Sequence, residues 1–223
     1  METINKEEVK KFWDGRADEY GKSTFQGITN FADEHKSITM DHIDKTELTK
    51  LVRKEKEVLD VGCGVGRLSF WLAKRSKKVI GIDYSDPLIE IAKYEAKKRK
   101  IKNVEFYCKS CTDIDLNKKF DLIIVFGLLI YMDEEDVIKT IQQLKQHLGK
   151  KGKIILKESV GTSGKYIVNK FSKELNAKYN AIYRTPEEII KLFENNGLKL
   201  KYDKKLYQHR KETGVWLFIF KEN

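Results

Sequence analysis

The chain has little of what disulfide scaffolds, metal centres and membrane spans are made from. Its 223 residues hold 3 cysteines, too few for a disulfide framework. The single C-x-x-C, Cys108-Lys109-Ser110-Cys111, lacks the two further ligands that a zinc site needs. The 4 histidines, His35, His42, His147 and His209, do not supply them at any recognisable spacing. No metal is expected. No apolar run reaches the roughly 18 residues that a transmembrane helix requires. The first residues, Met1 to Glu8, are charged and carry no apolar signal core. A cytoplasmic chain with no membrane segment follows. Also missing are the phosphate loop G-x-x-x-x-G-K-[ST] and the dinucleotide fingerprint G-x-G-x-x-G.

What is present is a globular composition, with 40% hydrophobic and 35% charged residues. The length suits one domain with a full core. Lys+Arg 44 against Asp+Glu 34 leaves a net charge of +10. A surplus of that size suits a nucleic-acid partner. Against this, the lysines are scattered and mostly paired with glutamates on helix faces. The densest cluster, Lys97-Lys98-Arg99-Lys100, ends a predicted helix, where cations favour the helix dipole anyway.

The most informative stretch runs from Glu57 to Leu68. Val58, Leu59 and Val61 read as a buried strand. Gly62, Gly64 and Gly66 then form a tight loop, and a helix is predicted from Arg67 to Ser76. Glycines at alternate positions leave no Cβ where a ligand passes close to the backbone. A dinucleotide site would need glycine at position 67; that residue is Arg67, which suits a ligand carboxylate instead. The segment Val58-Leu59-Asp60-Val61-Gly62-Cys63-Gly64-Val65-Gly66 closely resembles the first motif of the class I S-adenosylmethionine-dependent methyltransferases. The resemblance implies a doubly wound, Rossmann-like α/β fold. Its sheet would be mostly parallel and seven-stranded, ending in an antiparallel hairpin. It also implies S-adenosylmethionine as cofactor and S-adenosylhomocysteine as product, with Asp60, Gly62, Gly64 and Arg67 among the binding residues.

The rest of the chain fits that frame. Lys78 to Asp83 is a second strand ending in an acid, placed where a carboxylate can accept from the ribose hydroxyls. Tyr84 follows, able to lie against the adenine face. Ser85 or Asp86 can cap the next helix, with Pro87 in its first turn. Ser85 also falls in the cofactor set. A third strand, Val104 to Cys108, leads to Cys111 and Thr112. The resemblance places adenine contacts there, although Ser110 stands near the family's usual aspartate. The apolar run Leu122 to Phe126 reads as a central strand buried on both faces, with Phe126 facing the cofactor. A helix from Glu134 to Leu148 ends at Gly149, and a fifth strand runs from Lys153 to Ser159. A helix opening at Thr185-Pro186 and two closing strands, Leu198–Tyr207 and Gly214–Phe220, complete the chain.

The ends are read for function. Phe12 to Tyr20 resembles the N-terminal cap of many small-molecule methyltransferases, which implies Arg16 and Tyr20 as candidate cofactor contacts; the alternative is that Trp13 and Tyr20 are packing residues. Residues 1–40 form the cap or lid, of which 21–40 read as a loop, and Ile43, Leu48, Leu51 and Val52 mark a helix over 41–53. Residues 160–185 break the alternation and read as an insertion covering the substrate, all within a single domain, 1–223. Tyr131 and Glu158 are the candidate catalytic residues, with His209 behind them. Gly64-Val65-Gly66-Arg67, Cys111-Thr112-Asp113 and Tyr183-Arg184-Thr185-Pro186 are also similar to protein N-terminal methyltransferases. That family departs from this chain at Tyr131 and at Glu158-Ser159, so its substrate is not adopted. The reading is methyl transfer to an oxygen or nitrogen of a small-molecule or peptide acceptor. An RNA methyltransferase, a non-catalytic S-adenosylmethionine-binding protein and a nicotinamide-dependent oxidoreductase are the alternatives. The last is disfavoured by Arg67. The oligomeric state is open.

Overall fold

The structure is a computed structural model describing residues 4–20, 34–172, 177–208 and 210–222. Its centre is a seven-stranded sheet built from β1 (Glu57–Val61), β2 (Lys78–Asp83), β3 (Val104–Cys108), β4 (Phe120–Phe126), β5 (Leu148–Gly161), β8 (Leu198–Gln208) and β9 (Thr213–Glu222). The spatial order is β3-β2-β1-β4-β5-β9-β8. The first five pair in parallel, and β9 runs antiparallel to both its neighbours. Strand order reverses between β1 and β4, and such a switch point opens a crevice at the carboxyl ends of the strands.

The inner strands are apolar on both faces because helices cover both. Leu59, Val61, Ile123 and Val125 face α5 (Glu134–His147) and α6 (Pro186–Asn195), packing with Ile141, Leu144, Ile189 and Phe193. Val58, Leu122 and Ile124 face the other layer, of α2 (Glu34–Thr49), α3 (Arg67–Ala73) and α4 (Asp86–Lys98), through Leu48, Leu68, Leu72, Ile89 and Ala92. Each such side chain taken from water contributes about 1.5–3 kcal/mol. Phe193 stacks on Phe220 with ring centroids 4.1 Å apart, both fully buried.

A smaller third cluster stands over the carboxyl ends. It joins α1 (Lys6–Arg16), the short turn at 129–131 and a two-stranded antiparallel hairpin of β6 (Tyr166–Ser172) and β7 (Ala177–Tyr183). Val9, Ile130, Tyr131, Val168, Ala181 and Ile182 are buried in it.

The structure corrects several expected boundaries. Helix α2 begins at Glu34, inside the stretch read as a loop; residues 21–33 lie outside those described. Helix α3 stops at Ala73 instead of Ser76. Helix α5 passes straight into β5 at Leu148, so Gly149 is a strand residue and not a helix cap. A Cβ there would stand 3.0 Å from the Phe120 carbonyl. Most of the insertion over 160–185 is regular β structure. No helix among the described residues is long and apolar enough to cross a membrane.

Candidate active site

The glycine loop is held from below by β2: Gly62 and Cys63 both donate to the Ile82 carbonyl, at 2.8 and 3.0 Å. Gly66, at φ 81°, is the N-cap of α3, and a Cβ there would stand 2.6 Å from Phe106 Cζ. Gly64 has φ 52° but nothing within 4 Å of its missing Cβ, and it lines a cavity of about 160 Å³. Backbone conformation fixes the first glycine; open space beside the second is what a ligand passing the loop needs.

That cavity lies over the ends of β1, β2 and β4. Its lining includes Trp13, Gly62, Gly64, Arg67, Asp83, Tyr84, Phe126 and Tyr131, together with Cys63, Val65, Leu88, Gly127 and Leu128. Of the residues named from sequence, Gly62, Gly64, Arg67, Asp83, Tyr84, Phe126 and Tyr131 are therefore brought together. Asp83 is buried, its carboxylate accepting from Gly64 N at 2.9 Å and Ser85 N at 3.0 Å. Burial raises its pKa, against the pull of these backbone donors. Two accepted bonds leave further lone pairs on the carboxylate. The Tyr84 hydroxyl is buried without a hydrogen-bond partner among the described residues.

Arg67 is engaged by the chain itself, through ion pairs to Asp41 and to Asp44, the latter at 3.2 Å. Asp44 also takes the Lys157 ammonium at 2.6 Å, and both partners are buried. The expectation of a ligand carboxylate on Arg67 did not foresee these acids from α2. Their pairing joins residues far apart in sequence and has no local signature.

The remaining named residues do not line the cavity. Asp60 lies beneath the loop, accepting from the Ser69 hydroxyl at 2.5 Å, and burial lifts its pKa to about 6. Ser85 is the N-cap of α4 without a side-chain cap; its hydroxyl donates to Asp14 of α1 at 2.6 Å. The Arg16 guanidinium lies 5.9 Å from the Phe12 ring centroid, and its Nε has no hydrogen-bond partner among the described residues. The Cys111 sulfur accepts from the Thr140 hydroxyl, and Thr112 bonds Ser110. His209 lies outside the described residues.

Glu158 is 1% exposed and accepts three backbone N–H bonds: Leu128 at 3.0 Å, Leu129 at 2.7 Å and Ser159 at 3.0 Å. Burial pushes its pKa up to about 7 despite these donors and the nearby Arg184. Buried Arg184 donates to the Leu129 and Met132 carbonyls at 3.0 and 2.9 Å. The two side chains grip the turn at 129–131 from opposite polar ends, and that turn carries Tyr131 into the cavity. Tyr131 meets Trp13 edge-to-face at 5.4 Å and Tyr179 at 6.1 Å.

A cavity at a doubly wound switch point, lined by a glycine loop and by Trp13, Tyr84 and Tyr131, belongs to the Rossmann-like ligand-binding class. Comparison with known proteins narrows this. A methyltransferase-domain family profile matches residues 52–214. A ubiquinone biosynthesis O-methyltransferase from Coxiella burnetii is 31% identical over 215 residues, covering 89% of this chain and 84% of that protein. One of the same name from Pelagibacter ubique is 28% identical, covering 90% and 87%. Among solved structures, a magnesium protoporphyrin IX methyltransferase from Synechocystis with bound S-adenosylmethionine superposes at TM-score 0.68. It shares 20% identity over 96% of this chain and 95% of its own. The chain belongs to the methyltransferase-domain family and is a methyltransferase.

Proposed function

We propose that the chain transfers a methyl group from S-adenosylmethionine to an oxygen of a small molecule. The observation that carries the reading is the cavity itself. Its lining brings together the spare acceptor capacity of Asp83, the Tyr84 hydroxyl, which has no partner among the described residues, and the open face of Gly64. An adenosyl ligand has the matching parts: a ribose diol for Asp83 and a flat base for Tyr84. Bound there, the cofactor supplies a methyl group on a sulfonium, a leaving group that needs no activation. Oxygen as the accepting atom is carried over from the O-methyltransferase relatives.

The chain's own residues then have positional work. Trp13 and Tyr131 line the same cavity and shield it from water, so alignment supplies most of the acceleration. A hydroxyl nucleophile benefits from a base, but Glu158 is committed to three N–H groups. We therefore assign Glu158 and Arg184 to positioning the 129–131 turn. The polypeptide acts as one domain, with α1 and the β6–β7 hairpin as its acceptor-side cover. The test is to incubate the protein with methyl-labelled S-adenosylmethionine and a panel of phenols, aliphatic alcohols and amines. Labelled methyl ether with matching S-adenosylhomocysteine is expected. Label appearing only on amines would overturn the oxygen assignment.

A further inference from the structure

Ser85 breaks a local rule. It is the N-cap residue of α4, a position whose hydroxyl ordinarily accepts from a backbone N–H of the first turn. Here it makes no such bond, and Pro87 removes one of the donors it would use. The residue is fully buried, and its hydroxyl instead donates to Asp14 Oδ1 of α1 at 2.6 Å, across 71 residues of chain. Lys10 donates to the other Asp14 oxygen at 2.5 Å.

The bond joins two parts of the site. The Ser85 N–H holds Asp83 at 3.0 Å, and Asp83 also accepts from Gly64 of the glycine loop. Asp14 follows Trp13 in α1, and Trp13 lines the main cavity together with Asp83. One serine therefore ties the helix that carries Trp13 to the carboxylate assigned to the ribose. Two other ties of α1 run elsewhere, Lys6 to Asp136 of α5 and Glu8 to Lys178 of β7, and their lysines are 62% and 51% exposed. Exposed ion pairs contribute little, whereas a charged acceptor on a buried hydroxyl contributes more. The placement of Asp14 also has a cost. Burial foremost, and the Asp14 charge in addition, raise the Asp83 pKa. Ser85 and Lys10 offset the repulsion between the two carboxylates.

We infer that Ser85 is a positioning residue whose hydroxyl latches α1, and Trp13 with it, over the bound cofactor. The inference rests on the proposed cofactor reading and adds how the ligand is retained: release requires the Asp14–Ser85 bond to open. Neither Asp14 nor the Ser85 hydroxyl takes part in the methyl transfer.

Backbone hydrogen exchange along α1 and the dissociation rate of S-adenosylhomocysteine, both measured on the full chain, test it. Asp14→Ala, at a partly exposed side chain, and Ser85→Ala, at a buried one, should each speed exchange over Lys6–Arg16 and ligand dissociation about tenfold. The effects should not add, so the double variant should match either single one within about twofold. Asp14→Asn keeps an acceptor oxygen and should recover most of both rates. Lys6→Ala, which removes an exposed pair from the same helix, should change dissociation by less than about twofold. A hydroxyl serving only α4 would speed exchange over Asp86–Lys98 and leave α1 as in wild type; that result, or an Asp14→Ala effect no larger than that of Lys6→Ala, would overturn the latch. Failure of wild type to bind S-adenosylhomocysteine would instead strike at the cofactor reading, and exchange along α1 in the ligand-free chain would still decide whether the latch holds.

Discussion

The two walls of the main cavity are built differently. On the glycine-loop side the backbone does the positioning. Gly62, Cys63 and Gly64 are tied to Ile82 and Asp83 by backbone N–H groups, and Gly66 leaves room for Phe106. On the other side, side chains do it. Trp13, Tyr131 and Tyr179 meet edge-to-face. Their supports are held by polar ties: Asp14 to Ser85, Glu8 to Lys178, Lys6 to Asp136, and Glu158 and Arg184 to the 129–131 turn. A backbone wall suits a constant part of the reaction, and a side-chain wall suits the part that varies with the acceptor.

The largest effect expected from breaking this comparison is at Gly66. Gly66→Ala forces a side chain to φ 81° and drives Cβ to 2.6 Å from Phe106. Urea unfolding should show a loss of about 2–5 kcal/mol. Gly15→Ala, in α1 of the opposite wall, meets nothing within 4 Å and should be neutral or stabilising by up to about 1 kcal/mol. A similar loss at both positions would erase the distinction.

Next is the polar grip on the turn. The folded-state pKa of Glu158 is about 7, above its ordinary 4.5. The folded state therefore binds more protons than the unfolded state between those values. This contribution to stability is full below pH 4.5 and is lost as pH rises through 7, amounting to at most about 3 kcal/mol. Asp60 and Asp83 are raised in the same direction, so the informative quantity is the difference from Glu158→Gln. That variant should flatten the wild-type slope between pH 5 and 7 in chemical denaturation. An unchanged slope would remove Glu158 from the account.

The smallest effect sharpens the aromatic side. Tyr179→Phe keeps the ring and removes a hydroxyl 3.0 Å from that of Tyr183. The expected cost is about 1 kcal/mol by thermal unfolding, with cofactor affinity unchanged. A larger loss would mean that hydroxyl contacts, and not ring packing, hold this wall.

The backbone wall was the more legible one. Alternating glycines, an apolar strand before them and an acid at the end of the next strand are local signals, and each residue concerned lies on or beside the cavity. The sheet was legible for the same reason, since Val58, Leu59 and Val61 and the run Leu122–Phe126 are apolar. The hairpin was not. Its β6 strand carries apolar Ile167 and Phe171 on the exposed face and Val168 on the buried one, so apolar and polar residues do not alternate with burial. The partners of Arg67 were hidden because Asp41 and Asp44 approach it only through packing of α2. Glu158 carried the right position for a ligand group, at a strand's carboxyl end, yet its oxygens are turned to Leu128, Leu129 and Ser159.

The most direct test is calorimetric titration with S-adenosylhomocysteine of wild type, Asp83→Ala and Tyr179→Ala. The division of labour between the walls predicts binding by wild type, at least about a tenfold loss in Asp83→Ala, and a change of no more than about twofold in Tyr179→Ala. Equal losses in the two variants, or no binding by wild type, would contradict it.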